Sequence, residues 1–394
     1  MSFDYLNTKK WISQPRTILG LMTGTSLDGI DLALVKIWID SSGEHKLQLL
    51  AKGEYSLPND YAEYILEKLE NGSNFGEISA LHFSISEIYS RAINDFIKDK
   101  SLNKSDIDAV AIHGQTLWHE PNGRILFGKK TSSTLQLGSG SALSKLINLP
   151  VVSAFRDGDL ALGGSGAPLV PIFDYNFISD KNRDRIALNI GGMSNLTFLK
   201  AGGQEQDVLA FDTGVGNVLI DMACSKFFNK KYDSGGQVAN SGKLNNDLFN
   251  YLKKDNFIIQ KPPKSTGREY YDRKYFNDIL NKSKFFNINK IDLITTLTHF
   301  TAYSISENII IFLRENVDIF VSGGGAKNKF LMEVLKKYLP NSEIQNSSEI
   351  GIDPDFKEAI CFTYLGWRTL GGLYGNLPSV SGADQKAILG TISF

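Results

Sequence analysis

Two apolar runs near the start of the chain, separated by a polar loop, predict a β-hairpin. Residues 17–22 (TILGLM) and 30–39 (IDLALVKIWI) are rich in β-branched and aliphatic side chains. The loop 23–29 (TGTSLDG) between them combines glycine with hydroxyl and carboxylate groups. Because turn residues between β-like runs are typical of paired strands, we expect a hairpin with a broad polar tip.

Apolar residues at helical spacing follow this hairpin. They predict helices over 60–70 and 78–97. The apolar run 107–112 then predicts a short buried strand that leads into HGQT at 113–116.

The second half of the chain repeats this alternation of strands, glycine turns and helices. Strands are predicted over 186–190 and 196–199, with the Gly-Gly turn of NIGGMSN between them. Further elements predicted in the same way are helices over 218–227, 293–313, 326–338 and 357–370 and a strand over 317–321. Two halves that each begin with a glycine-tipped hairpin indicate an α/β protein with two related lobes and a cleft between them.

No linker rich in proline or serine marks the lobe boundary, so it is placed at the polar run 180–185 (DKNRDR). We therefore expect an N-terminal tail over 1–16 and a first lobe over 17–184. The second lobe is expected over 185–394, and its last segment could pack back on the first lobe.

Composition narrows the class of protein. The chain has 394 residues, and its 42 Lys+Arg against 43 Asp+Glu argue against nucleic acid or an anionic membrane as the main partner. Its two cysteines cannot form a disulfide framework or a multi-cysteine zinc site. The apolar stretches are too short to span a membrane. The N-terminal segment 1–15 is polar and does not resemble a secretion signal. Together these observations predict a soluble cytoplasmic protein.

Four glycine loops supply candidate nucleotide contacts, over 23–29, 189–195, 212–217 and 323–328. Glycine lets the backbone approach a ligand closely, and N–H groups at loops and helix starts favour phosphate. A carboxylate beside such donors, here Asp28, is a candidate Mg²⁺ ligand. None of the loops matches the P-loop or G-x-G-x-x-G patterns, so neither a P-loop enzyme nor a dinucleotide dehydrogenase is supported.

The stretch 155–168 (FRDGDLALGGSGAP) joins two carboxylates to an arginine and a glycine run. Phosphoryl transfer needs a base near the acceptor hydroxyl, and by composition either Asp157 or Asp159 could serve. His113 and His119 lack the spacing of a zinc helix, so each is read as a structural or substrate-contact residue. A serine nucleophile is not indicated, because no G-x-S-x-G string follows a strand.

Taken together and in order, the motifs resemble the anhydro-N-acetylmuramic acid kinase family of the sugar kinase/hexokinase/actin superfamily. The matching strings run from about residue 17 to the end and are GLMTGTSLDGID (20–31), HGQT (113–116), FRDGDLALGGSGAPLVP (155–171), LNIGGMSNLT (188–197), FDTGVGN (211–217), PKSTGREYY (263–271), SGGGAKN (322–328) and EAICFTYLGWRTLGGLYGNLPSVSGA (358–383).

This resemblance implies a two-lobed actin-like ATPase fold with ribonuclease H-like lobes, holding ATP and Mg²⁺ in the interlobe cleft. It implies a cytoplasmic kinase of peptidoglycan recycling that forms a homodimer. In the implied reaction, water opens a 1,6-anhydro sugar at the anomeric carbon, and the freed O6 takes the γ-phosphoryl group of ATP.

The resemblance also assigns residue roles. It selects Asp159 as the catalytic base, with Asp28 and Glu358 near the metal. His113, Gln115, Arg156 and Glu358 are the expected sugar contacts. The expected ATP contacts are Gly24, Thr25, Ser26, Leu27, Asp28, Gly29, Ile30, Asp31, Gly191, Asp212, Thr213, Gly214, Gly216, Asn217, Gly323, Gly324 and Gly325.

Two positions depart from the family pattern. Ala154 and Ser139 stand where members commonly carry aspartate, while Asp159 is kept. The departures leave open a kinase for another 1,6-anhydro sugar of the levoglucosan type, or for a plain hexose. A more remote alternative is a non-catalytic nucleotide-binding protein on the same fold.

Overall fold

The computed structural model describes residues 8–24, 27, 29–267, 269–314 and 316–394. The strands are β1 (Arg16–Met22), β2 (Ile30–Ile39), β3 (His45–Tyr55), β4 (Ala109–Ile112), β5 (Gln115–Leu126), β6 (Lys129–Leu137), β7 (Val151–Ser153), β8 (Arg185–Ile190), β9 (Met193–Leu199), β10 (Leu209–Val215), β11 (Asp318–Ser322), β12 (Glu343–Asn346) and β13 (Thr391–Ser393).

The helices are α1 (Thr8–Ile12), α2 (Tyr61–Asn71), α3 (Phe75–Asp99), α4 (Gly140–Ile147), α5 (Asp157–Ala161), α6 (Pro171–Ile178), α7 (Val218–Phe228), α8 (Gln237–Asn240), α9 (Asn246–Leu252), α10 (Asn256–Ile259), α11 (Arg273–Phe285), α12 (Lys290–Phe312), α13 (Lys329–Tyr338), α14 (Lys357–Leu370) and α15 (Pro378–Ser381). In the described part of the chain, no helix combines the length and apolarity needed to cross a bilayer.

The first of two compact units extends to residue 177 and also takes in residues 356–394. Its sheet has the order β13-β7-β4-β1-β2-β3. β1, β2 and β3 pair antiparallel, whereas β4 and β7 continue the sheet parallel to β1. β4 is buried at all four positions, as expected for a central parallel strand covered on both faces.

The second unit, residues 178–355, has a sheet of order β10-β9-β8-β11-β12. Its first three strands pair antiparallel, and β11 and β12 continue parallel to β8. Order and direction therefore repeat those of β3-β2-β1-β4-β7. This shared topology is that of ribonuclease H-like lobes, which confirms the predicted two-lobed actin-like α/β fold.

The predicted hairpins are present as β1–β2 and β8–β9, and α14 has the predicted bounds 357–370. The helix predicted over 218–227 is also confirmed, as α7 begins at Val218. The strand that precedes it, β10, was not predicted. It includes residues 212–215 of the glycine loop and pairs with β9.

The chain passes between units at residue 177/178, whereas the polar run had placed the boundary at 184/185. α6 belongs largely to the first unit because its aromatic residues pack there, with the Phe177 ring 4.9 Å from that of Tyr364 on α14. The described part of the expected tail is also packed. Trp11 is 2% exposed, and its indole N–H donates to the carbonyl of Trp367 at 3.2 Å.

Candidate active site

Asp159 lies on the short helix α5 and is completely buried. Its Oδ1 accepts hydrogen bonds from the amide of Asn376 and the hydroxyl of Ser381, both at 2.7 Å. Its Oδ2 accepts one from the backbone N–H of Gly166 at 2.8 Å. A Cβ at Gly164 would collide with this carboxylate, which explains the glycine. The carboxylate is thus enclosed and held by three donors.

Arg156 joins this loop to the HGQT motif. Its Nε and Nη2 approach Nε2 of His113 at 3.2 and 2.7 Å, and its Nη1 donates to the carbonyl of Gly166 at 2.7 Å. Burial and the arginine charge hold the pKa of His113 well below its usual range. His113 is therefore neutral, with Nε2 as acceptor and the proton on Nδ1.

Gln115 opens β5 and is 1% exposed. The hydroxyl of Tyr61 donates to its Oε1 at 3.4 Å. Gly114, just before it, has a φ of 81°, and a Cβ there would lie 2.8 Å from the carbonyl oxygen of Leu137. Glycine is required at this turn, which sets the direction in which Gln115 leaves the sheet.

Glu358 lies in the first turn of α14 with part of its side chain exposed. Desolvation of its carboxyl group by the surrounding protein raises the pKa of Glu358, and the positive charges of Arg156 and Lys357 oppose that shift. Burial lowers the pKa of Arg156 to about 10, and the negative charge of Glu358 opposes that shift. Lys357 itself forms a buried ion pair with Asp174 at 2.7 Å, which fixes the start of α14 beside α6. His113, Arg156 and Glu358 therefore form one electrostatic group within the first unit.

The tip of the first hairpin is described only in part, since Thr25, Ser26 and Asp28 lie outside the described residues. The N–H of Leu27 donates a hydrogen bond to the carbonyl of Gly24 at 3.3 Å, and Leu27 has a φ of 58°. The tip ends at Gly29, after which Ile30 and Asp31 open β2. β1 lies close to α14 at Gly20, where a Cβ would collide with the carbonyl oxygen of Ala359.

In the second unit, the Gly-Gly turn and the start of α7 form one hydrogen-bonded assembly. The N–H groups of Gly216 and Val218 donate to Gly192 O at 2.9 and 3.1 Å, and that of Asn217 donates to Gly191 O at 2.9 Å. The N–H groups of Gly216 and Asn217, two of the expected ATP contacts, are thus engaged within the protein. Their bonds place Gly191 beside this loop and hold its shape.

Asp212 and Thr213 precede that turn on β10, at a bulge between Asp212 and Gly214. Thr213 is fully buried, and its hydroxyl contacts that of Ser194. Asp212 keeps partial exposure, and the backbone N–H of Thr266 donates to its Oδ2 at 2.8 Å. Burial raises the pKa of Asp212, and the hydrogen bonds from Thr266 and Ser265 oppose that shift.

Gly323 and Gly325 pack on the end of β8. Gly323 has a φ of 80°, and a Cβ there would lie 2.8 Å from the carbonyl oxygen of Ile190. A Cβ at Gly325 would collide with the Ile190 side chain, whereas one at Gly324 would meet nothing within 4 Å. Close packing therefore requires glycine at positions 323 and 325 of this loop, whereas Gly324 faces open space.

A family model described as anhydro-N-acetylmuramic acid kinase matches residues 16–394. The chain belongs to the anhydro-N-acetylmuramic acid kinase family. Relatives bearing that name are 37% identical in Caldanaerobacter subterraneus subsp. tengcongensis (96% of this chain, 97% of that protein) and 38% identical in Clostridioides difficile (95% and 97%). A third, from Francisella tularensis subsp. novicida, is 39% identical (97% and 100%).

This member of the anhydro-N-acetylmuramic acid kinase family uses residues that sequence reasoning did not single out. Asn376 and Ser381 hold Asp159, and Lys264 and Thr266 hold the backbone and carboxylate of Asp212. All four lie in strings that the resemblance includes, 263–271 and 358–383. The amide, hydroxyl and backbone groups through which these residues act do not by themselves indicate a functional site in a sequence. Only the position of the four residues within the matching strings could have identified them as candidates.

The kinase family implies ATP, and Mg²⁺ was expected near Asp28 and Glu358. Among the described residues, no group of three His, Cys, Asp or Glu side chains could hold a metal ion. Mg²⁺ is usually held by one or two carboxylates together with substrate phosphates and water. Glu358, with its exposed carboxylate in the first turn of α14, fits one such ligand for an ion that arrives with the nucleotide.

Proposed function

We propose that the chain is an ATP-dependent kinase that opens 1,6-anhydro-N-acetylmuramic acid with water and phosphorylates O6. The product is N-acetylmuramic acid 6-phosphate. The observation that carries the proposal is the family match over 16–394, with relatives of that name aligned over nearly their whole length. Peptidoglycan recycling, a cytoplasmic location and a homodimer stay predictions that rest on the same family.

The bonds and protons of this reaction balance without a further reactant. The oxygen of water bonds to C1 while the C1–O6 bond breaks, and O6 takes the γ-phosphoryl group as ADP leaves. One proton of the water must be accepted by a base. Cleavage at C1 passes through an oxocarbenium-like transition state that a nearby carboxylate stabilises.

Asp159 was predicted as this base, and we propose it in that role. A base must reach its proton within hydrogen-bond distance, directly or through one water, and this contact often forms only when the substrate is bound. The hydrogen bonds from Gly166, Asn376 and Ser381 fix the orientation of the Asp159 carboxylate, and a carboxylate offers about four acceptor sites, so one remains for the attacking water. The carbonyl of Gly166 in turn holds Arg156, which links the proposed base to the proposed sugar contacts.

Asp212 is proposed as a residue of the second phosphate loop, as the sequence predicted. It is partly exposed, and its Oδ2 is fixed by the backbone N–H of Thr266. Asp157, the other carboxylate in the stretch that contains Asp159, is exposed. Among the described residues, no side-chain hydrogen bond fixes Asp157.

Sugar recognition is assigned to the group of His113, Gln115, Arg156 and Glu358. A buried guanidinium suits the carboxylate of a lactyl substituent, because arginine binds carboxylates through paired, charge-assisted bonds. Neutral His113 holds the guanidinium plane through Nε2. When Mg²⁺ is bound with ATP beside Glu358, it neutralises charge on the phosphates.

The test is ADP release measured in parallel with anhydro-N-acetylmuramic acid, levoglucosan and glucose. The proposal predicts turnover with the first sugar and little with the others, since they lack the lactyl carboxylate. Turnover of levoglucosan or glucose alone would instead favour the alternatives that Ala154 and Ser139 leave open. Absence of sugar-dependent ADP release with all three would indicate the non-catalytic alternative.

A further inference from the structure

The long helix α3 carries three polar side chains on one face. His82, Ser86 and Tyr89 are spaced four and three residues apart, which places them one above another along the helix. The backbone N–H of Gly138 donates to Nδ1 of His82 at 3.2 Å, and the hydroxyl of Ser86 donates to the carbonyl of Ser139 at 3.1 Å. This face of α3 therefore holds the turn between β6 and α4.

Tyr89, the third residue of this face, holds the start of the first hairpin loop. Its hydroxyl lies 2.6 Å from the hydroxyl of Thr23, which follows β1 and begins the loop 23–29. Tyr89 has no exposed surface, and Thr23 is 1% exposed. When one partner of such a buried hydrogen bond is removed, the other is left without its bond and without water. The bond therefore ties the start of the loop to α3.

The ring of Tyr89 is itself fixed by the turn that follows β6. Gly138 in that turn has a φ of 111°, and a Cβ there would lie 3.0 Å from the Tyr89 ring. Because the backbone of the turn packs directly on the ring, the ring cannot shift without moving the turn. The Tyr89 hydroxyl is thus a fixed point for Thr23.

Leu27 attaches the same loop to the core at a second point. This residue is among the expected ATP contacts, and its side chain is 6% exposed and belongs to the apolar cluster that contains Tyr89 and Ile112. Its φ of 58° lies in the left-handed region that leucine disfavours. Burial of the side chain offsets that cost, so the described part of the loop is held by Thr23 at one point and by Leu27 at another.

The expected sugar contacts are held by other groups. The hydroxyl of Tyr61 donates to Oε1 of Gln115 at 3.4 Å, and Nη2 of Arg156 lies 2.7 Å from Nε2 of His113. Neither bond involves Tyr89. Loss of the Tyr89 hydroxyl should therefore act on the loop 23–29 and spare the sugar contacts.

We propose that Tyr89 is a positioning residue for nucleotide binding, acting through its hydrogen bond to Thr23. The proposal rests on the proposed function, in which ATP is bound and the loop 23–29 contacts it. Ordering a mobile segment costs free energy when a ligand binds, and a segment that is fixed in advance avoids that cost. Without the Tyr89 hydroxyl, ATP would have to order the loop, and its affinity would fall.

The test measures the Kd of a β,γ-imido analogue of ATP with Mg²⁺, in the absence of sugar, by isothermal titration calorimetry. Tyr89→Phe and Thr23→Val each remove one partner of the bond, and a hydrogen bond is worth roughly 2- to 12-fold in an equilibrium constant. We expect the Kd to rise about fivefold in each variant and no further in the double variant. Thr23→Ser keeps the hydroxyl and should stay within about twofold of wild type.

Tyr364→Phe is the matched control for loss of a buried hydroxyl. Tyr364 is also fully buried, and its hydroxyl lies 2.6 Å from Nδ1 of His45. His45 pairs with Ile39, at the end of β2 that is remote from the loop. This variant should lower the thermal midpoint and leave the Kd of the analogue within about twofold of wild type. The KM for the anhydro sugar should stay within about twofold of wild type in Tyr89→Phe and Thr23→Val.

A Kd for Tyr89→Phe equal to that of wild type would overturn the proposal, as would an equal rise in Tyr364→Phe. Additive effects in the double variant would also overturn it, because the two hydroxyls would then act separately. If Tyr89→Phe does not fold, the comparison of Thr23→Val with Thr23→Ser decides. If wild type binds the analogue but turns over no anhydro sugar, the proposed function fails, and the Kd values still decide the positioning claim.

Discussion

Asp159 follows strand β7 of the first unit and Asp212 lies on strand β10 of the second, and the surroundings of the two carboxylates differ. Asp159 is fully buried, with both oxygens bonded to neutral donors. Asp212 keeps exposed surface, with one oxygen fixed by a backbone N–H. The resemblance placed the base at the first and a phosphate loop at the second.

The difference teaches that two carboxylates in matching strings can be held in different ways. Asp159 ties residues 376–381 to the loop that holds Arg156, and the N–H of Ser165 donates to the carbonyl of Ser381 at 2.8 Å. Asp212 is held from one side and keeps exposed surface. We therefore expect substitutions at Asp159, the proposed base, to act on rate and substitutions at Asp212, in the proposed phosphate loop, to act on ATP binding.

The largest effect is expected from Asp159→Asn. The substitution removes the proton acceptor but keeps the size of the side chain, and general-base catalysis contributes about 10²- to 10⁴-fold. We expect kcat for the anhydro sugar to fall by about 10³-fold, with ATP binding close to wild type. A variant that keeps more than a tenth of wild-type kcat would remove Asp159 from the role of base.

Asp212→Asn should show a different pattern. The substitution removes the negative charge of the carboxylate that accepts the N–H of Thr266 but keeps its size. We expect KM for ATP to change more than kcat for the anhydro sugar, since Asp212 belongs to the proposed phosphate loop. A loss of kcat as large as that of Asp159→Asn, with KM for ATP unchanged, would instead favour Asp212 as the base.

The pH dependence offers a smaller but independent effect. The raised pKa of Asp212 means that the carboxylate takes up its proton at a higher pH than an ordinary aspartate does. Activity should therefore decline, as pH falls, at a pH above the usual aspartate range, and kcat/KM against pH measures this limb. Retention of the same limb in the residual activity of Asp212→Asn would assign it to another group.

The smallest effect is expected at Ala154, in the loop that leads to Asp159. Ala154 has a φ of 56°, in the left-handed region that alanine disfavours and asparagine tolerates. We expect Ala154→Asn to raise the free energy of unfolding by about 0.5 kcal/mol and to leave kcat unchanged. A loss of stability in urea unfolding would show that the side chain of Asn does not fit there.

Local patterns predicted much of the fold. The helix 357–370 was predicted with its observed bounds, because its apolar residues recur at helical spacing over a long stretch. β3 was missed because its alternating burial gives a weak apolar run, and β10 was missed because Gly214 and Gly216 suggested a loop. In both cases, pairing with a neighbouring strand determines the structure.

The site was harder to predict, because its decisive contacts are distant in sequence. Asn376 and Ser381 lie 217 and 222 residues beyond Asp159, so no local pattern can reveal that they hold its carboxylate. The anchoring of Asp212 by 264–266 likewise joins separate strings. His113 and Arg156, by contrast, were singled out from their motifs, and the structure brings them into direct contact.

One measurement tests the central claim, that water opens the anhydro bond and ATP phosphorylates O6, most directly. The reaction is run in H₂¹⁸O with anhydro-N-acetylmuramic acid and ATP, quenched early, and analysed by mass spectrometry beside unlabelled product held in the same water for the same time. The account predicts one ¹⁸O on C1 of the sugar phosphate, above the exchange seen in that control, and none on the phosphoryl group. Label found in inorganic phosphate, with none gained by the sugar, would indicate plain ATP hydrolysis and contradict the account.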